Sequence, residues 1–224
     1  MTCTTNIDWA ATGVTLQGIG TVIGAISVIV AAIIGSRTFG SWKRQTLSGR
    51  HIDQAERILT ATYNARRGLS HLRSPVTLPH ELYAAELQLK ENGQWDKTFP
   101  ESERRNLAMA HALYNRLNST RDYQRALQEC QPMARAFFGE RLEKAIEKLN
   151  HQYWTVKVYI DAYQIDKSGA DTEFRRKVES AIWEGYPPDE VNEVDQIIAS
   201  QVNLIEEICV PVLRMGHSKT SARV

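Results

Sequence analysis

Histidine and cysteine are the first candidates for chemistry in this sequence, because they serve as metal ligands, bases and nucleophiles. The chain has six histidines and three cysteines. His80 and Glu81 begin an HExxH-like motif, but position 84 is alanine, so the second zinc ligand is missing. No GxSxG, P-loop or protein-kinase motif occurs. The sequence therefore predicts no metal and no cofactor, and an enzyme stays open only because active sites can assemble from distant residues.

The cysteines also argue against a disulfide framework. Cys3, Cys130 and Cys209 are far apart in the sequence and form no CxxC pair. Cys130 and Cys209 lie in partly apolar segments with helical spacing. We therefore expect both to be buried structural thiols.

A basic cluster is the remaining candidate for binding chemistry. Arg66, Arg67 and Arg73 lie close together, with His71 between them. One interpretation is a contact with an anion or an acidic lipid. The alternative is ion pairing with acidic side chains on a packed neighbouring helix.

The element that must position this region begins with an uncharged run from residue 14 to residue 34. Its 21 residues would form a helix of about 32 Å, which matches a hydrocarbon core of about 30 Å. A soluble core helix would normally show a polar face, and a cleaved signal peptide would carry positive charge before its apolar run. Neither feature is present, so we predict a transmembrane helix over residues 13–35.

Flanking charges predict the orientation of this helix. Residues 1–36 contain no lysine or arginine, whereas four basic residues follow by position 50. The positive-inside rule then places residues 1–12 outside and the C-terminal part in the cytoplasm, which in a bacterium means the inner membrane. Aromatic and basic residues on both sides are predicted anchors at the surface of the lipid bilayer: Trp9, Phe39, Trp42, Lys43 and Arg44.

Small residues recur along one face of the predicted span. Gly20, Gly24, Ser27 and Ala31 follow one another at spacings of four, three and four. Such a stripe allows two helices to approach closely in a membrane, and it predicts a homo-oligomer. The alternative is that glycine is simply frequent in membrane helices.

The rest of the chain has helical patterns throughout. After a juxtamembrane segment, 36–50, we predict an all-α soluble domain over residues 51–215 and a flexible basic tail over residues 216–224. The first helix can continue from the span with little interruption, although Gly40 and Gly49 could bend it, and we expect a later helix to be kinked or interrupted near Pro132. The clearest coiled-coil-like pattern comprises Leu142, Ile146, Leu149, Tyr153, Val156, Ile160 and Tyr163. A second pattern runs from Val191 to Val212. These seams predict an antiparallel helical bundle.

Charge and architecture together favour an interaction protein. All 27 basic residues and all but one of the 26 acidic residues lie beyond residue 36, so the soluble part is nearly neutral. This balance predicts no nucleic-acid partner. We expect a membrane-anchored interaction or scaffold protein with a protein partner on the cytoplasmic side. The alternatives are an oligomerising membrane effector of a stress or phage-defence response and, less favoured, an enzyme.

Overall fold

The computed structural model describes the backbone of residues 9–96, 98–165 and 171–221, and it describes no side chain in 9–25, 36, 39–41, 44–45 or 215–221. Within the described residues the chain is all-helical, with no strand, which confirms the predicted all-α class. The helices are α1 (Trp9–Leu72), α2 (Pro79–Glu91), α3 (Glu101–Ser119), α4 (Arg121–Phe138), α5 (Glu140–Ile165), α6 (Thr172–Ile182) and α7 (Glu193–Ser221).

The chain divides into two compact units, Met1–Arg50 and His51–Val224. In the second unit α5 is central, since it contacts α3, α4, α6 and α7. The prediction for its buried face is confirmed, because all seven residues of the predicted seam are at most 7% exposed. Burial of this seam removes large apolar side chains from water, which is the main favourable contribution to the stability of such a unit.

The predicted α7 pattern is confirmed at Val194, Ile198 and Ile205, which are buried, but is wrong at Val191, which lies before the helix and is 72% exposed. Its remaining members, Gln201, Ile208 and Val212, are half-buried, whereas Val202 and Cys209, which the pattern did not include, are fully buried. The side chain of Asn192 explains the boundary. Its Oδ1 accepts a hydrogen bond from the backbone N–H of Asp195 at 3.0 Å, which caps the first turn of α7.

Pro132 does not interrupt its helix, because it lies inside α4, and α1 runs without a break through Gly40 and Gly49. A proline removes one backbone donor from a helix and leaves the carbonyl one turn earlier without its usual partner. Pro132 and Gln128 are both exposed, so water can satisfy that carbonyl. At the C-terminus α7 extends to Ser221, beyond the predicted end of the folded domain at residue 215.

A close approach between helices occurs at Gly68 of α1. A Cβ atom added there would lie 2.6 Å from the hydroxyl oxygen of Tyr153 and 3.1 Å from Cδ2 of Tyr123. That hydroxyl donates a hydrogen bond to the backbone carbonyl of Ala65 at 2.8 Å. Only glycine leaves room for this contact between α1 and α5.

Candidate functional site

Exposed apolar side chains mark the described part of the predicted span. Every residue of Ile26–Gly35 is exposed, and the large apolar side chains are 48–70% exposed: Ile26, Val28, Ile29, Val30, Ile33 and Ile34. At 100° per residue these side chains cover about two thirds of the helix circumference, and the remaining sector holds the small residues Ser27, Ala31 and Gly35. No charged face is present. A patch of this kind is unfavourable in water unless lipid or protein covers it.

Only some of the predicted membrane residues are described. Ser27 and Ala31 of the predicted association face are exposed. The exposure of Gly20 and Gly24, the other two residues of that face, lies outside what the structure describes. Trp42 is 60% exposed and Lys43 is exposed. The side chains of the other predicted interfacial anchors, Trp9, Phe39 and Arg44, also lie outside the described residues. The association face and the anchors stay predictions.

A second apolar stretch lies at the other end of the chain. Among the described residues, Glu193–Arg214 of α7 is long and apolar enough to cross a membrane, and Ile26–Gly35 is a shorter apolar stretch. The α7 stretch is one-sided, since Val202, Ile205 and Cys209 are fully buried against the rest of the bundle. Its composition is therefore also that of an amphipathic core helix.

Arg73 in the predicted basic cluster is 1% exposed. Its guanidinium pairs with the carboxylate of Asp195 and donates to Asn192 Oδ1 at 3.1 Å. It also donates to three carbonyls of the α6 end, those of Ser180, Ala181 and Trp183. At Arg73 the contacts support ion pairing with a packed neighbour, and its burial contradicts an anion or lipid contact there.

Arg66 and Arg67 have the opposite environment, because both are exposed. They line an open groove of about 960 Å³ with Tyr63, Ser70 and His71 of α1. The other wall comes from the α6–α7 turn and the start of α7: Glu184, Gly185, Asp195, Ile198 and Ala199. The structure thus places the predicted basic cluster along the wall of a groove, with Arg73 beneath it.

Hydrogen bonds fasten the two walls of this groove together. Glu184 accepts a hydrogen bond from the Ser70 hydroxyl at 2.6 Å, and its backbone N–H donates to the Arg73 carbonyl at 2.7 Å. Within the second wall, Asp195 accepts a hydrogen bond from the backbone N–H of Gly185 at 2.8 Å. Sequence reasoning missed Asp195, Asn192 and Glu184, because more than 100 residues separate them from Arg73.

The failed HExxH-like motif has a structural role instead. Glu81 accepts hydrogen bonds from the Arg116 guanidinium at 2.9 and 2.7 Å, and from the Leu78 backbone N–H at 2.8 Å. Arg116 is 5% exposed, and its hydrogen bonds lower the pKa of Glu81 from 4.5 to about 2. The described residues contain no group of three or more His, Cys, Asp or Glu that could hold a metal ion.

Cys130 and Cys209 are buried free thiols, as predicted. Burial raises the pKa of both, that of Cys209 to about 11. The thiolate, which is the nucleophilic form, is therefore disfavoured at neutral pH.

No family model, curated protein or solved structure matches this chain. The function must therefore be argued from the residues themselves.

Proposed function

We propose that this chain is a single-pass membrane protein that displays a cytoplasmic, antiparallel helical bundle as an interaction or scaffold module. The observation that carries the proposal is the Ile26–Gly35 segment, in which every residue is exposed, none is charged and Ser27 is the single polar side chain. Residues 14–25 extend this uncharged run to a length that fits a bilayer. Lipid would cover these side chains without any need for a protein partner.

The membrane part of the proposal can be tested by alkaline extraction of full-length protein. Replacing Ile26 and Val30 by arginine should move the chain to the soluble fraction, because Ile26 lies near the centre of the predicted span, where an arginine costs about 2.5–3.5 kcal/mol. Tyr83→Arg with Leu87→Arg is the matched control. These two exposed residues of α2 are also four positions apart and are 69% and 46% exposed. Wild-type protein extracted with the soluble fraction would exclude the anchor.

The proposed orientation can be tested with the native cysteines. Cys3 would lie outside, whereas Cys130 and Cys209 are buried. A membrane-impermeant maleimide should therefore label intact cells through Cys3, and Cys3→Ser should abolish the labelling. Labelling only after the cells are lysed would indicate the reverse topology.

Self-association through Gly20, Gly24, Ser27 and Ala31 is the proposed basis for a homo-oligomer. Gly20→Ile should weaken association in a membrane two-hybrid assay, since the larger side chain separates the backbones. Gly18→Ile is the matched control, because residue 18 falls on the opposite side of an ideal helix. Equal association of both variants would remove this face from the proposal.

The membrane effector alternative predicts a different result in cells. Overexpression of an effector that disrupts the membrane should depolarise cells that carry a membrane-potential dye. A scaffold should leave the cells polarised. Depolarisation that Gly20→Ile abolishes would favour the effector over the scaffold.

A further inference from the structure

The groove between α1 and the α6–α7 turn contains two exposed arginines, Arg66 and Arg67, that make no ion pair among the described residues. Arg57, Arg116, Arg141 and Arg175 of the same unit each have a carboxylate partner. Among the described residues, Arg66 and Arg67 have no carboxylate within 4 Å. They are exposed on the groove wall, so a ligand can reach them.

The acidic side chains at this groove are already engaged. Asp195 accepts hydrogen bonds from Arg73 and from the Gly185 backbone, and Glu184 accepts one from Ser70. Glu206 interacts with the Tyr63 hydroxyl at the edge of the groove. Burial, and to a smaller extent Glu206, raises the pKa of Tyr63. Arg73 pairs with Asp195, whereas the hydroxyl donors at Glu184 and Glu206 leave the charges of these two carboxylates in place. Arg66 and Arg67 are the arginines of the groove wall that make no ion pair among the described residues.

We propose that this groove binds a phosphate-bearing ligand through the guanidinium groups of Arg66 and Arg67. Guanidinium groups bind phosphate oxygens through paired, charge-assisted hydrogen bonds. His71 lies one helical turn beyond Arg67 and supplies a further nitrogen on the same wall. Ile198 and Ala199 give the opposite wall an apolar part that can contact the organic portion of the ligand. Membrane anchoring is not required for this proposal.

Two sources can supply this chemistry, a soluble phosphate compound or an acidic lipid headgroup. Full-length protein in neutral detergent at low salt should be titrated by calorimetry with inorganic pyrophosphate. A second titration should use dihexanoyl phosphatidylglycerol below its micelle concentration, with dihexanoyl phosphatidylcholine as the zwitterionic control. Tighter binding of pyrophosphate indicates a soluble ligand, and tighter binding of the anionic lipid indicates a headgroup.

Arg66→Gln with Arg67→Gln should weaken binding of the preferred probe at least tenfold. Arg105→Gln with Arg121→Gln removes the same charge from two other exposed arginines and should change the affinity less than twofold. Arg66→Lys with Arg67→Lys keeps the charge but loses the paired donors, and should give an intermediate affinity if the fold is retained. No saturable binding of either probe, or equal weakening by the control pair, would overturn the proposal.

Discussion

The two ends of α1 have small residues at helical spacing but opposite surroundings. In the first, Ser27 and Ala31 are exposed, and so are the large apolar residues around them. In the second, a stripe of small residues is buried in the bundle: Ala61, Ala65 and Gly68. There the stripe lets Tyr153 of α5 reach the backbone of α1. Small residues on a helix thus indicate that another helix can approach closely. The neighbouring side chains indicate whether that approach takes place in lipid or in the core of the bundle.

The apolar residues of the two stretches differ in the same way. Between residues 51 and 72 the buried residues occupy one face, and Glu56, Arg57, Arg66 and Arg67 remain exposed. Between residues 26 and 35 no charged residue is present and all residues are exposed. The first pattern suits a boundary between protein and water, and the second suits lipid. If the two stretches are independent, a substitution in one should leave the stability of the other unchanged.

The largest effect is expected at Arg73, where the bundle part of α1 ends. Arg73→Met should destabilise the bundle by roughly 3–5 kcal/mol, because Asp195 and several carbonyls would lose their donor in a buried site. Denaturant unfolding followed by circular dichroism measures the change. Arg66→Met, two turns earlier on the exposed face, should change stability by no more than about 0.5 kcal/mol. Similar losses for both variants would contradict the assigned role of Arg73.

A smaller loss is expected when the close approach at Gly68 is blocked. Gly68→Ala should destabilise the bundle by about 1–3 kcal/mol, since the new methyl group must displace the Tyr153 hydroxyl. Gly49→Ala is the matched control, because its Cβ would meet nothing within 4 Å. The control should be neutral or stabilising by up to about 1 kcal/mol.

A double variant identifies the clash as the cause. Tyr153→Phe removes the hydroxyl that lies 2.6 Å from the added Cβ. In the Tyr153→Phe background Gly68→Ala should therefore cost less than it does in the wild type. Additive losses would show that another contact limits the space at Gly68.

Lowering the pH should destabilise the bundle without changing the retention of the apolar stretch in the membrane. The pKa of Glu81 falls from 4.5 to about 2 in the folded protein, so its ion pair contributes stability above pH 4.5. That contribution, roughly 3 kcal/mol, is lost as the pH falls from 4.5 towards 2. Residues 14–34 hold no titratable group, so retention in the membrane should not change over that range. Glu81→Gln should flatten the bundle's stability profile, and an unchanged slope would mean that other carboxylates determine it.

The sequence indicates the helix faces but not the side-chain partners across the bundle. Leu142, Ile146 and Leu149 repeat at helical spacing, so their burial follows from local periodicity alone. The alternative for Arg73, an ion pair, was also visible, yet the partner Asp195 is 122 residues away and no local pattern points to it. Val191 shows the related limit, because a capping side chain decides where an apolar pattern becomes a helix.

Gly68 was missed for a different reason. Sequence reasoning assigned meaning to glycines in the predicted span, where no charged residues interrupt the pattern. In the bundle Gly68 is preceded by two arginines, and the pattern looks like an ordinary solvated face. Ala61 and Ala65, which precede Gly68 at spacings of four and three, were the available signal, because small residues repeated at helical spacing also allow close packing in a helical bundle.

The smallest effect is expected from the substitutions that should abolish membrane anchoring. Ile26→Arg with Val30→Arg removes two exposed apolar side chains that make no part of the bundle core. The free energy of unfolding of the bundle in neutral detergent should therefore change by less than about 0.5 kcal/mol, although the same variant leaves the membrane fraction. Thermal unfolding of both proteins in the same detergent measures this. A loss of several kcal/mol would mean that the bundle needs the apolar stretch for its own stability, and the exposed segment would then be a folding surface as well as an anchor.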